Sequence, residues 1–280
     1  MAVKLITDAG CDLNLEQANQ LGVILIPMTI RFGNEEYRSG IDISHKEFYQ
    51  KLSATSELPT TSQPAPYVYE EVFRNIKEQG DEAVVLCISS ALSGTYQSAV
   101  IASDGYEDCI HIVDTKAVSL AQRILLDFAI ALQQQGVCAE EIVAALEKKK
   151  GHVCAYGAVE TLEYLIKGGR LSKTAGAVGS VLGIRPILSL QNGELVVAGK
   201  ARGAKAAISM THNLVSKAGI DFTMPVAIGY TGNDPYVLDA YMEAADSPWS
   251  GMEIPVYNVG STVGTHTGPG LYIAAFFKKA

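Results

Sequence analysis

The 280-residue chain is short of positive charge. Its 22 Lys and Arg stand against 30 Asp and Glu, a formal net charge of -8, with a pI near 5.2. Binding to a phosphate backbone runs on clustered cations, so this balance argues against nucleic acid as a partner. Cysteine is scarce and scattered: Cys11, Cys87, Cys109, Cys138 and Cys154 make an odd set with no Cys-x-x-Cys pair. A chain of this length needs no disulfide staples, and Cys87 and Cys154 lie in apolar runs that read as homes for buried, reduced thiols. His152 and Cys154 have no second ligand pair at zinc spacing, so no metal site is expected. No apolar run reaches the 18 or so residues of a membrane span. The opening "MAVKLITDAGCDL" passes straight into a strand-like run without a basic segment followed by an apolar one, and the expected location is the cytoplasm. Several catalytic and nucleotide-binding signatures are also missing: GxxxxGK[ST], GxGxxG after a strand, HExxH, and GxSxG, whose first glycine position is taken by Ala91. No bound cofactor is expected.

What is present is a chain that is 48% hydrophobic and about twice the usual domain size, enough for two cores. In its first half, short apolar runs alternate with amphipathic ones. "VKLITD", "GVILIPMTIRF", "EAVVLCIS" and "CIHIVDT" read as strands, apolar nearly throughout, as parallel strands buried on both faces are. "SHKEFYQKL", "APYVYEEVFRNIKEQG" and "LAQRILLDFAIALQQQG" read as helices, the last with Ile124, Leu125, Phe128 and Leu132 on one face. After "EEIVAALEKKK" the pattern changes. "HVCAYGAV" reads as a strand, and "TLEYLIKGGRLSKTAGAVGSVLG" as short helices broken by Gly168, Gly169 and Gly176. "RPILSLQNGELVVAGKAR" reads as a hairpin with a type I′ turn at Asn192-Gly193. "GAKAAISMTHNLVSKAG" and "DPYVLDAYMEAAD" read as helices, and "PVAIGYTG" and "MEIPVYNV" as strands. The expected fold is α/β: an N-terminal domain over residues 1–152 built on a mostly parallel sheet, a C-terminal α+β domain over 153–280, and a cleft between them.

Three stretches place small polar residues where a ligand would meet such a fold. In "SSALSGTYQSA", Ser89 and Ser90 close a strand while Ser93, Gly94 and Thr95 fall in the turn or first helical turn behind it. Hydroxyls beside a glycine at a helix mouth suit a carboxylate or phosphate, or serve only as a cap. "TTSQPAP" repeats the chemistry with Thr60, Thr61 and Ser62 ahead of Pro64 and Pro66, and the pattern sets both mouths on one sheet. "VGTHTGPGLYI" reads as a small-residue loop holding His266 between two threonines. Arg170 follows two glycines, a setting suited to bidentate recognition of an anion, whereas Lys200, Arg202 and Lys205 lie between the hairpin and a helix, where a solvated surface is the ordinary reading for the two lysines.

Taken in order along the whole chain, "LITDAGCDL", "TSQP", "SSALSGTY", "IHIVDT", "YLIKGGRLS", "RPIL" and "GTHTGPG" resemble the DegV family, whose members include the fatty-acid-binding (FakB-type) subunits of the bacterial fatty acid kinase system. The resemblance implies a two-domain protein that holds one long-chain fatty acid in an apolar interdomain tunnel. It implies a carrier subunit with no ATP site of its own, not a free-standing enzyme: a separate kinase subunit phosphorylates the carboxylate, and the acyl phosphate is carried toward phospholipid synthesis through transient acyltransferase or membrane-surface contact. By the family pattern Thr61 and Ser93 meet the carboxylate with Ser62, Gly94 and Thr95 nearby, and His266 completes the head-group site. Arg170 and Arg202, with Lys173 and Lys205 in the vicinity, would rim the mouth where phosphate or kinase is met. One departure is "SLAQRILLDFA", where many relatives carry glycines, and this run is expected to border the tunnel or a domain contact. Two other readings fit the hydroxyl-rich mouths: a Ser/His hydrolase or acyltransferase using Ser93 and His266, and a small-anion sensor with no tail tunnel.

Overall fold

The computed structural model of the chain describes residues 2–172 and 183–279. The first half runs β1 (Val3–Asp8), α1 (Leu15–Leu21), β2 (Val23–Ile26), β3 (Thr29–Phe32), β4 (Glu35–Arg38), α2 (His45–Ala54), β5 (Thr60–Ser62), α3 (Pro66–Glu78), β6 (Glu82–Cys87), α4 (Thr95–Ala102), β7 (Ile110–Asp114), α5 (Leu120–Gln134) and α6 (Ala139–Lys149). The second runs β8 (Val153–Ala158), α7 (Glu163–Lys167), β9 (Ile184–Gln191), β10 (Glu194–Arg202), α8 (Ala204–Ala218), β11 (Val226–Tyr230), α9 (Tyr236–Met242), β12 (Val256–Asn258), α10 (Ser261–Thr267) and β13 (Tyr272–Phe277).

Among the described residues these strands form three sheets. The first, β2-β1-β6-β7, is parallel throughout. Its central strands are apolar on both faces, and Leu5, Ile6, Val84 and Val85 are fully buried. The second, β10-β9-β8-β13-β11-β12, is antiparallel except for its β11–β12 edge. The third is the small antiparallel set β4-β3-β5. The chain is thus α/β with a parallel N-terminal sheet and an α+β C-terminal part. Helix starts follow their local chemistry: Asn14 with Gln17 and Ser44 with Glu47 form capping boxes on α1 and α2, and Pro66 opens α3. Asn192 (φ 51°) and Gly193 (φ 87°) make the tight hairpin turn, both in the left-handed region a type I′ turn requires.

Helix α5 touches β1 and β6 on one side and β8, β11 and β13 on the other. That position explains why its first turns are buried all round, Gln122 and Arg123 included, where the sequence shows one apolar face. The glycine-poor run therefore lies between the two large sheets, and only Val118 and Ser119 at its start reach the cleft described below.

Three expectations are corrected. The run from Gly22 to Phe32 is two strands, split after Ile26 at Pro27, with β2 in the parallel sheet and β3 in the small one. The mouth at Thr60–Ser62 is itself a strand of the small sheet, so the two hydroxyl-rich stretches do not sit on one sheet. The segment around His266 is not a loop but the helix α10, followed by the central strand β13. A Cβ on Gly264 would lie 2.6 Å from Tyr49 Oη, so close packing on α2 overrides the weak helix propensity of "STVGTHT". Of the short helices expected over 161–183, α7 is present; Lys173 and Gly176 lie outside the described residues. No helix among the described residues is long and apolar enough to cross a membrane.

Candidate functional site

Residues of the six-stranded sheet, of the small sheet and of the segments that follow the parallel strands line a cleft with about 800 Å³ of void, part of it open to solvent. One wall is a single face of the six-stranded sheet: Ala155 and Gly157 of β8, Leu188 and Leu190 of β9, Leu195 of β10 and Ile273 of β13. Register puts them together, since Gly157 lies opposite both Leu188 and Ile273, and Leu190 opposite Leu195. Facing them are Ile88, Leu92 and Val118, which follow the carboxyl ends of β6 and β7, where open α/β sheets receive their ligands.

Among the polar side chains of this largely apolar lining, Thr61, Ser93, Arg170 and His266 come together. Pairing of Thr61 with Ile30 fixes β5 so that Thr61 Oγ1 stands 2.8 Å from His266 Nε2 on α10. The other ring nitrogen, Nδ1, is buried without a partner among the described residues, against Gly168, where any Cβ would overlap it. Burial, reinforced by the nearby charge of Arg170, pushes the imidazole down to about 4, so it is neutral at neutral pH. An orphaned N–H costs more than an orphaned lone pair, which puts the proton on Nε2, donated to Thr61 Oγ1. The threonine hydroxyl proton is then left for the cleft.

Ser93 is arranged the same way. Its Oγ accepts from Thr95 N–H at 3.3 Å and stands 2.8 Å from Thr95 Oγ1; either hydroxyl can donate, but the fully buried Thr95 hydroxyl has no other acceptor among the described residues, and its donation leaves the Ser93 proton available. Thr95 itself is fully buried and does not line the cleft. Gly94 caps α4 with no side-chain bond, and its bare Cα faces the amide of Gln63. Arg170, half-buried, donates from Nε to Leu92 O at 3.1 Å and from Nη1 to Gly168 O at 2.6 Å. Burial lowers its pKa, and no carboxylate among the described residues pairs with it. Ser119, Thr262 and Thr267, also in the lining, donate their hydroxyls to Asp12, Ser39 and the Val263 carbonyl.

Not every expected residue joins this group. Ser62 is exposed at the end of β5, opposite Thr29. Arg202 is exposed at the last position of β10, opposite Ile184, at the end of the hairpin away from Leu195, and does not line the cleft. Lys200 and Lys205 are likewise exposed. Sequence reading passed over two participants: Gly168, which appeared only as a helix breaker, and Gln63, an amide between a serine and a proline that carries no local signal.

The arrangement is suited to holding an anion. Two hydroxyl donors are primed by a second donor behind each, and a guanidinium with no carboxylate partner among the described residues stands beside them. Nucleophilic catalysis is less well served. Ser93 and His266 are each bonded to a different threonine, no carboxylate among the described residues orients His266 Nδ1, and burial beside Arg170 disfavours the imidazolium that a general base must become.

The family profile described as "Uncharacterised protein, DegV family" matches residues 2–279. A DegV domain-containing protein of Caldanaerobacter subterraneus subsp. tengcongensis is 33% identical over 272 residues, 95% of each chain. Among solved structures, a fatty-acid-binding DegV family protein from Thermus thermophilus superposes with a TM-score of 0.87 at 31% identity, covering 99% of this chain and all of that one. A stearic acid-binding protein from Eubacterium ventriosum gives a TM-score of 0.85 at 27% identity, covering 99% of each chain.

Proposed function

The chain belongs to the DegV family, and we propose that it holds one long-chain fatty acid, its tail along the leucine-lined wall of the cleft and its carboxylate at Thr61 and Ser93. The observation that carries this reading is the contrast within one lining: mostly aliphatic side chains, with the Thr61 and Ser93 hydroxyls, a neutral His266 and the Arg170 guanidinium gathered at a single place. The fatty acids bound by the Thermus and Eubacterium relatives, whose folds match over almost the whole chain, support it. Energetics divide the labour. A buried methylene is worth about 0.8 kcal/mol, so a tail of about 16 to 18 carbons contributes on the order of 10 kcal/mol gross. Each hydrogen bond to the charged head adds about 1.5 to 3 kcal/mol. The tail supplies affinity and the hydroxyls fix the direction of the carboxylate.

In this reading the protein is a carrier. Neutral hydroxyls orient a carboxylate while leaving it able to attack a phosphoryl donor, and a separate fatty acid kinase subunit brings the ATP. The acyl phosphate then leaves toward phospholipid synthesis. Exposed Arg202 belongs to the kinase-facing surface in this account, and Arg170 to the head-group site itself. The division at residues 152 and 153 separates the parallel sheet from the six-stranded one, with the cleft between the two domains so defined.

Two sets of variants test the proposal. Thr61→Val and Ser93→Ala should each lower fatty acid affinity by about 10- to 150-fold; a double variant that binds as tightly as the parent would overturn the head-group assignment. Arg202→Glu should leave binding unchanged and slow phosphorylation by the kinase subunit. Unchanged phosphorylation would remove Arg202 from the kinase surface.

A further inference from the structure

We infer that Gln63 is a positioning residue that sets the spacing between the two carboxylate donors, Thr61 and Ser93, by clasping the strand that carries one to the helix mouth that carries the other. The inference rests on the fatty-acid reading above.

Thr61 and Ser93 belong to separate hydrogen-bonded frameworks. Thr61 is on β5, a three-residue edge strand that pairs only with β3 of the small sheet among the described residues. Ser93 follows β6 of the parallel sheet and precedes α4. Among the described residues no ladder bond joins the two sheets; apart from the short link between β2 and β3, side-chain contacts set the separation of β5 from the mouth of α4. Gln63, two residues beyond Thr61, reaches across that junction. Its Nε2 donates to Ser98 Oγ at 2.9 Å, and its amide packs against the bare Cα of Gly94, where a Cβ would overlap the amide atoms. Gly94 and Ser98 are one helical turn apart, so the amide lies along the first turn of α4, directly behind Ser93. Ser98 is 1% exposed, and Gln63 supplies its buried hydroxyl with a partner. Buried Pro64 and the Pro66 that opens α3 stiffen the chain that follows, and α3 packs on α4, so the clasp is held from both sides. Gly94 is therefore needed for the Gln63 amide, whereas the sequence offered it as room for a ligand. Gln63 does not line the cleft and acts only through Thr61 and Ser93.

A positioning role separates from a merely structural one by comparing two ligands with the same tail. Gln63→Ala should lower affinity for hexadecanoic acid by about tenfold, the value of one misplaced charged hydrogen bond, and change affinity for hexadecanol by less than about twofold. Ser98→Ala should reproduce the effect, and the double variant should add nothing further. Gln63→Met, which keeps the packing on Gly94 without the hydrogen bond, should fall between Gln63→Ala and the parent and serves if the alanine variant folds poorly. A readout without ligand is hydrogen exchange of the His266 ring N–H, which loosening of Thr61 from its 2.8 Å contact should speed. Equal losses for acid and alcohol, or an unchanged acid-to-alcohol ratio, would overturn the clasp. A parent protein that binds neither ligand would instead overturn the fatty-acid reading, and exchange of the His266 ring N–H alone would then decide whether Gln63 positions Thr61.

Discussion

Replacing His266 with glutamine should change how stability depends on pH, by an amount the structure sets. The folded imidazole titrates at about 4 against the usual 6.5, first because it is buried and second because Arg170 is near. An unfolded chain takes up a proton near 6.5 that the folded chain refuses until about 4. Stability is therefore full above that window and falls as pH drops through it. At about 1.4 kcal/mol per pH unit, the whole window is worth about 3 kcal/mol, of which about 2.5 is lost by about pH 4.5. A glutamine in place of the imidazole can donate from its Nε2 to Thr61 Oγ1 and carries no charge at any pH, so the variant lacks this loss. Asp8 and Asp12, raised by burial to about 6 and about 7, act in the opposite direction. The folded chain keeps protons that the unfolded chain releases near 3.8, and that stability is lost as pH rises through the window. Both aspartates are present in parent and variant and cancel in the comparison. Urea unfolding of the lipid-free proteins at about pH 7.5 and about pH 4.5 should show His266→Gln gaining about 2.5 kcal/mol on the parent between the two. A difference that stays constant within about 0.5 kcal/mol would mean an imidazole that titrates as in water, and would refute the dry, Arg170-biased head-group site.

Three further outcomes are expected. Gly168→Ala places a Cβ on His266 Nδ1, with the Tyr164 carbonyl also only 3.0 Å away, and should cost about 1 to 3 kcal/mol of stability by thermal unfolding. Asp12→Asn keeps a residue tolerant of φ 64° and the bond from Gly260 N–H; because the buried carboxyl is costly to ionise, the variant should gain on the parent as pH rises from about 4 to about 8, a trend that urea unfolding across that range would check. Arg170→Gln should raise the His266 pKa toward 6.5 in an NMR titration and weaken fatty acid binding more than fatty alcohol binding by calorimetry.

The sheet-forming half of the fold was legible because its strands are long, apolar and alternate with clear helices. The small sheet was not, since β5 is three residues long and pairs with β3 some thirty residues earlier. Helix α10 was hidden by composition. Its glycine and threonines argue against a helix, and only the contact of Gly264 with Tyr49 and Phe48 makes the choice sensible. Thr61, Ser93, Arg170 and His266 were each visible as chemistry, but their meeting depends on four separate segments and a 2.8 Å contact across 205 residues of sequence. Gln63 left no trace that composition or spacing could reveal. Its role exists only where β5 and α4 approach each other.

The most direct test of the account is the native mass of the freshly purified protein, followed by organic extraction and identification of what leaves it. A stoichiometric added mass that extracts as a long-chain fatty acid is expected. A bare chain that stays bare after incubation with saturated and unsaturated fatty acids would contradict the carrier reading.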